Sequence, residues 1–307
     1  MTIFALGAHD GVATGGDYDE VPLALDYYLQ RVPAKSVSQI YSEMGAAIPP
    51  GKPIELPREE LISGFANGAS PKLVEKIDVL LVKSRSPYAG ATQINLLHDL
   101  RDLAQNSQAT GTEMSSYVKW RLDHLALFQK PEVFPYQKPA VPPDGLSQIE
   151  AQIPGASKAM LPHWLFLEGA FYYKNGDDTN SETYFDRVLT EFPDSPRAEA
   201  ALFMKGRCKL SQSVASDDDG TNSDAGKKAE AKSLFESYLS KYPHGRYVSD
   251  VIGWLGGVAY RSTDPATALG YYTQHLETKD HPENFGSALD SGNGAKFRIV
   301  SRVSAIC

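Results

Sequence analysis

The chain has 307 residues, 42% hydrophobic and 22% charged, a composition ordinary for a folded protein long enough to hold two cores. Its formal net charge of −8 argues against generic binding to the phosphate backbone of nucleic acids, which needs basic surface to displace counterions. Two cysteines, Cys208 and Cys307, are too few for a disulfide framework and leave the redox compartment open.

The first stretch, MTIFALGAHDGVATGG at 1–16, lacks both a basic start and a sustained apolar run. It does not read as a signal peptide and is expected to be extended or disordered. No apolar run approaches the ~20 residues that a transmembrane helix needs. Residues 17–128 read as successive amphipathic helices, a helical N-terminal region that could be degenerate repeats. VPLALDYYLQRV at 21–32 carries Pro22 in its first turn, where the missing N–H costs nothing. KSVSQIYSEMGA, PREELISGFANG and SPKLVEKIDVLLVKSR follow, separated by Pro, Gly or Ser. GATQINLLHDLRDLAQN and TEMSSYVKWRLDHLALF keep the i, i+3, i+4, i+7 spacing, and no alternation runs long enough to suggest a sheet.

Residues 129–156 contain six prolines. Proline removes a donor and biases its predecessor away from α, so this stretch reads as an extended linker between two helical regions. Helix pairs come next, over 157–290. SKAMLPHWLFLEGAFYYKNG leads to DTNSETYFDRVLTEFP, where Thr179 and Glu182 have capping-box spacing. SPRAEAALFMKGRCKLSQ passes through an acidic loop at 214–226 to AGKKAEAKSLFESYLSKYP, and GRYVSDVIGWLGGVAYRS is followed by DPATALGYYTQHLE. The tail at 291–307 has three basic residues, no acid and no continuing pattern, and is expected to be truncated or aberrant.

The pairs keep a register when aligned on Gly169, Gly206 and Gly256. Ser181 lies twelve residues after Gly169, Phe185 four further on, and Pro193 eight beyond that. Ala231, Phe235 and Pro243 repeat the last two intervals, while Ala268 and Tyr272 repeat the first two after Gly256. A small residue at the Gly position lets the second helix approach closely, its small partner does the same from the other side, and the aromatic fills the space beside them. One pair cannot bury its own apolar face, so neighbours must stack. These offsets resemble the tetratricopeptide repeat (TPR) family, and the junction FPDSPRAEAALFMKG is similar to the subtype of bacterial envelope proteins, including an outer-membrane assembly lipoprotein and a periplasmic division coordinator. The resemblance covers about 157–282 and implies an all-α fold: an α-solenoid of TPR-like hairpins. Departures are the acidic insertion, Ser181 in place of Ala, and Pro282, which falls two residues late.

The resemblance also places the first helix of each pair on a concave face. His163, Phe166, Tyr173 and Lys174 would come from the first pair, Phe203, Arg207 and Ser211 from the second, and Asp250, Tyr260 and Arg261 from the third. Three cations among aromatics in an acidic chain suit an extended or helical peptide partner bearing carboxylates; the plainer alternative is an exposed face kept soluble by charge.

Other constellations carry less. An EF-hand register with Gly220 at the sixth loop position needs acids where Ala215 and Gly226 stand, so a solvated loop is expected, with a looser cage from Asp217, Asp219 and Asp224 as the alternative. His98 and His124 sit beside acids on separate helices without a ligand spacing, and Cys208 aligns with apolar Phe171 and Val258, as a buried inert thiol would. No nucleophile elbow, P-loop or dinucleotide fingerprint appears, so no catalytic residue, metal or cofactor is assigned. The leading reading is a non-enzymatic scaffold for protein–protein interaction in a bacterial cell envelope. The periplasm is expected if a signal-bearing start lies upstream, and the cytoplasm otherwise. Its alternatives are an enzyme with a helical catalytic N-terminal region and a TPR docking arm, or a fragment of a larger repeat protein.

Overall fold

The computed structural model describes residues 54–83, 91–105, 109–128, 144–214 and 224–262, with several positions from 264 to 274. The helices expected at 21–32 and 35–46, most of the Pro-rich stretch and of the acidic loop, Pro282 and the tail lie outside the described residues. Within the described residues all regular structure is helical, as the periodicity predicts. The described residues form two packed units, 54–204 and 205 onward.

In the first unit, α1 (Arg58–Ala66) packs on α4 (Gly111–Asp123), and α2 (Pro71–Lys83) packs on α3 (Ala91–Gln105). The α1–α4 approach is close because residue 111 has no side chain: a Cβ there would fall 2.3 Å from the Ala66 carbonyl oxygen. A capping box opens α4, in which the Thr110 hydroxyl receives the Glu113 N–H while the Glu113 carboxylate accepts from the Thr110 N–H.

After α5 (Gly145–Glu150) and a 3₁₀ turn at Ile153–Gly155, α6 (Leu161–Lys174) and α7 (Asp178–Glu191) make the first hairpin. Gly68 after α1 and Gly176 after α6 both take positive φ, 90° and 77°, which lets the chain close each helix with a bond back to Gly64 or Tyr172. The cap of α7 differs from the expected Thr179–Glu182 box. Asp177 caps it, its carboxylate accepting the Asn180 N–H at 3.1 Å. Aspartate at this position outcompetes a threonine two residues later because only the former has a free N–H within reach.

One apolar core runs from Leu61 and Phe65 through Leu96, Leu100, Tyr117 and Ile149 to Trp164, Leu167 and Phe171. This core draws on residues from both sides of the stretch expected as a linker at 129–156. The last third of that stretch is folded as α5, and Ile149 is fully buried. Trp164 meets Tyr117 edge-on at 4.8 Å and Trp120 at 5.3 Å, so the first repeat helix closes the N-terminal helices. Prolines interrupt backbone hydrogen bonding; they do not prevent the flanking helices from sharing apolar surface.

The division between units falls inside α8 (Pro196–Val214). In the second unit, α9 (Ala225–Lys241) packs on α10 (Val248–Arg261). Asp224 caps α9 by accepting the Gly226 and Lys227 N–H groups at 2.9 and 3.1 Å, so the last residues of the expected acidic loop begin a helix. Tyr238 is fully buried, and its hydroxyl accepts the Tyr247 N–H at 2.8 Å, pinning the turn after Pro243 to the helix before it.

The two glycine joints form as the register requires. A Cβ on Gly169 would lie 2.8 Å from Cε1 of Phe185, and one on Gly206 would lie 2.6 Å from Cε1 of Phe235. Both rings are fully buried, as are Ser181 and Ala231 one turn before them. Ser181 adds a tie, its hydroxyl donating to the Gly169 carbonyl at 2.8 Å, which explains how a serine serves where the pattern prefers alanine. Burying each Phe ring is worth roughly 1.5–3 kcal/mol.

Candidate partner-binding face

The ten residues expected on a concave face separate into four groups. Tyr173, Lys174, Arg207 and Ser211 are half-buried. His163, Phe203 and Asp250 are buried, at 0%, 5% and 6% exposure, and so offer little surface to a partner. Tyr260 and Arg261 end α10, and their side chains lie outside the described residues. Phe166 is half-buried and already engaged: its ring meets Phe185 at 5.4 Å, with the Arg197 guanidinium 5.0 Å above it. Helical spacing alone could not separate these groups, because a first helix also packs on the elements that precede it.

In the second unit α8 meets α10 through Arg207 and Trp254. The Arg207 guanidinium lies 5.4 Å from the ring centre of Trp254, a half-buried residue one turn after Asp250. A contact of this kind holds the planar cation against the indole face. Trp254 was not among the expected residues. The signal was available, since Trp254 stands two residues before Gly256, where the other repeats carry Leu167 and Met204.

His163 belongs instead to a buried charged cluster in the first unit. Asp99 of α3 is its centre: the Tyr117 hydroxyl donates to Oδ2 at 2.5 Å, Arg121 Nε lies 3.1 Å away, and Arg197 of α8 pairs with Oδ1. Asp102, one turn along α3, faces Arg197 at 3.7 Å. Arg197 Nε–H donates to His163 Nδ1 at 3.2 Å. That bond is made only with an unprotonated Nδ1, the neutral form that a pKa lowered by burial favours. The 3.5 Å approach of Nδ1 to Asp99 Oδ1 is then a contact between two acceptors and not a salt bridge. Two carboxylates balance two guanidiniums. Burial pushes the His163 pKa down to about 4 and the Tyr117 pKa up to about 12, and it lowers that of Arg121.

Elsewhere, Glu168 of α6 is buried, and loss of solvent raises its pKa despite the nearby Tyr184 hydroxyl. His124 stacks on Trp120 at 4.4 Å, and Cys208 is a fully buried thiol. Among the described residues no group of three or more His, Cys, Asp or Glu side chains is arranged to hold a metal ion, and no helix is long and apolar enough to cross a membrane.

Compared with known proteins, residues 170–256 match the family model described as YfiO, outer membrane lipoprotein. No curated protein and no solved structure is matched. The matched segment ends on Gly256 and holds Ser181, Phe185, Gly206, Ala231 and Phe235 of the repeating register, while Gly169 lies one residue before it. The match agrees with the resemblance of these hairpins to TPR-like repeats of the cell-envelope subtype.

Proposed function

We propose that this chain is a non-enzymatic scaffold of the bacterial cell envelope, holding a partner protein against the first helices of its hairpins. The observation that carries the reading is the joint formed twice, Gly169 with Phe185 and Gly206 with Phe235; the second joint lies wholly within the segment matched by an outer-membrane lipoprotein family, and the first reaches it through Phe185. A joint of this kind closes each helix pair, and a closed pair still carries an apolar face that it must bury against a neighbour. The partner is a peptide segment bearing carboxylates, met by Arg207 on its Trp254 platform and by Arg261 at the end of α10.

The experiment is capture of envelope proteins on the full chain, compared with the R207E/R261E variant. A partner recovered in stoichiometric amount by the wild type, and lost by a variant of unchanged helicity, is the expected result. Equal recovery by both would reject this face.

The convergence of Asp99, Asp102, Tyr117 and His163 is the feature that favours an enzymatic alternative. Each of the four is at most 6% exposed, and the cluster neutralises its own charge. We read it as structural, because a catalytic group must reach its substrate.

A further inference from the structure

We propose that His163 and Arg197 form an acid-sensitive latch, in which protonation of His163 displaces Arg197 from Asp99 and frees the start of α8 from the N-terminal helices.

The geometry contains both states. In the neutral state Nδ1 of His163 is an acceptor, and Arg197 spans it and the Asp99 carboxylate, with Asp102 alongside and the Phe166 ring beneath. A proton taken from solvent onto Nδ1 turns that atom into a donor. It can no longer accept from Arg197, but it already lies 3.5 Å from Asp99 Oδ1, close enough for a small shift to make an imidazolium–carboxylate bond. His163 then replaces Arg197 as the partner of Asp99. The cluster would otherwise hold three cations against two carboxylates, so the guanidinium whose backbone is easiest to release is expelled. That is Arg197, the second residue of α8, immediately after the turn Pro193–Pro196. Arg121 is held within the middle of α4 and stays.

The groups facing the imidazole are Asp99 and Asp102 from α3, Tyr117 and Arg121 from α4, and Arg197 from α8; Glu168 lies further along its own helix. Tyr117 does not titrate in the relevant range, and both arginines remain charged throughout. Burial is the main force on His163, bringing its pKa to about 4 against an ordinary 6.5, with Asp102 opposing and Arg121 assisting. In the open state the pairing with Asp99 offsets the burial that remains and returns the imidazole to about its ordinary value, so acidification to pH 5 raises the open fraction by about 30-fold. The second junction is built differently: Tyr247 stands where Arg197 does, four residues after the repeat proline, and its N–H is held by the uncharged Tyr238 hydroxyl.

The test is hydrogen exchange on the full chain, read by mass spectrometry at pH 7.5 and pH 5 and corrected for intrinsic rates. Peptides over 192–204 are expected to exchange about 30-fold faster at pH 5, while peptides over 242–250 do not change. In His163→Asn, where the amide oxygen replaces Nδ1 as an acceptor that cannot titrate, the acceleration disappears. Arg197→Met exchanges quickly at both pH values. Acceleration that persists in His163→Asn, or its absence in the wild type, overturns the proposal. If neither variant folds, an NMR titration of the wild-type imidazole decides: a midpoint well below 6.5 is expected, and one at or above 6.5 refutes the latch.

Discussion

The Gly206–Phe235 joint can be tested by adding one methyl group. Alanine at 206 would set its Cβ 2.6, 2.8 and 3.1 Å from three ring atoms of Phe235, a fully buried side chain with no flexible end to move aside. Overpacking of this kind costs about 1–3 kcal/mol, while replacing a glycine within a helix by alanine gains about 1 kcal/mol. The net expectation for Gly206→Ala is a loss of about 1 kcal/mol. Gly270 is the control, since it is helical and a Cβ there meets nothing within 4 Å; Gly270→Ala should gain about 0.5–1 kcal/mol. Phe235→Leu removes the ring atoms that collide, so in its background Gly206→Ala should cost nothing or stabilise. The coupling energy in a double-mutant cycle is then about 1–2 kcal/mol. Urea unfolding followed by far-UV circular dichroism measures all four corners. A Gly206→Ala variant that stabilises as much as Gly270→Ala, with no coupling to Phe235, would refute the joint.

Other consequences are as direct. Gly111→Ala should destabilise the chain by about 2 kcal/mol or more in the same assay, because its Cβ would strike the Ala66 backbone carbonyl, which cannot rotate away. Asp224→Ala removes the cap that accepts two N–H groups of α9 and should cost about 1 kcal/mol, with Asp224→Asn recovering most of it. Stability should fall as pH drops from 6.5 towards 4, because the neutral, buried His163 binds its proton more weakly in the folded state than in the unfolded one. The loss is about 3 kcal/mol in all and about 2 by pH 5. Comparing wild type with His163→Asn isolates that contribution, since Glu168, whose carboxyl is shifted upward by burial, affects both alike.

The joints could be read from the sequence because their geometry depends on residue size at fixed intervals: glycine, then a small residue, then an aromatic. The same logic extends to Tyr238 and Tyr247 only in hindsight, since nothing in their spacing announces a hydroxyl bonded to a backbone N–H. The charged cluster was written in plainer terms. Asp99 and Asp102 fall among Leu96, Leu100 and Leu103, on the stripe that periodicity assigns to the core, and an acid in such a place demands a buried cation. Which cation answers could not be known, because Arg197 lies almost a hundred residues away and reads like one more charge at a helix start. The capping box at Thr110 and Glu113 was legible too, with glutamate three residues after threonine. The prolines could not announce the shared core, because composition reports on the backbone, whereas the core is made by side chains on either side of the stretch. His163 left the proposed face for the same reason: its neighbours on α3 and α4 are distant in sequence.

The scaffold account is tested most directly by photo-crosslinking in living cells, with a photoreactive residue placed at Arg207 on α8 or at Glu236 on the exposed side of α9. The account predicts a discrete protein adduct from position 207 and none from position 236. The same adducts from both positions, or none from 207, would contradict it.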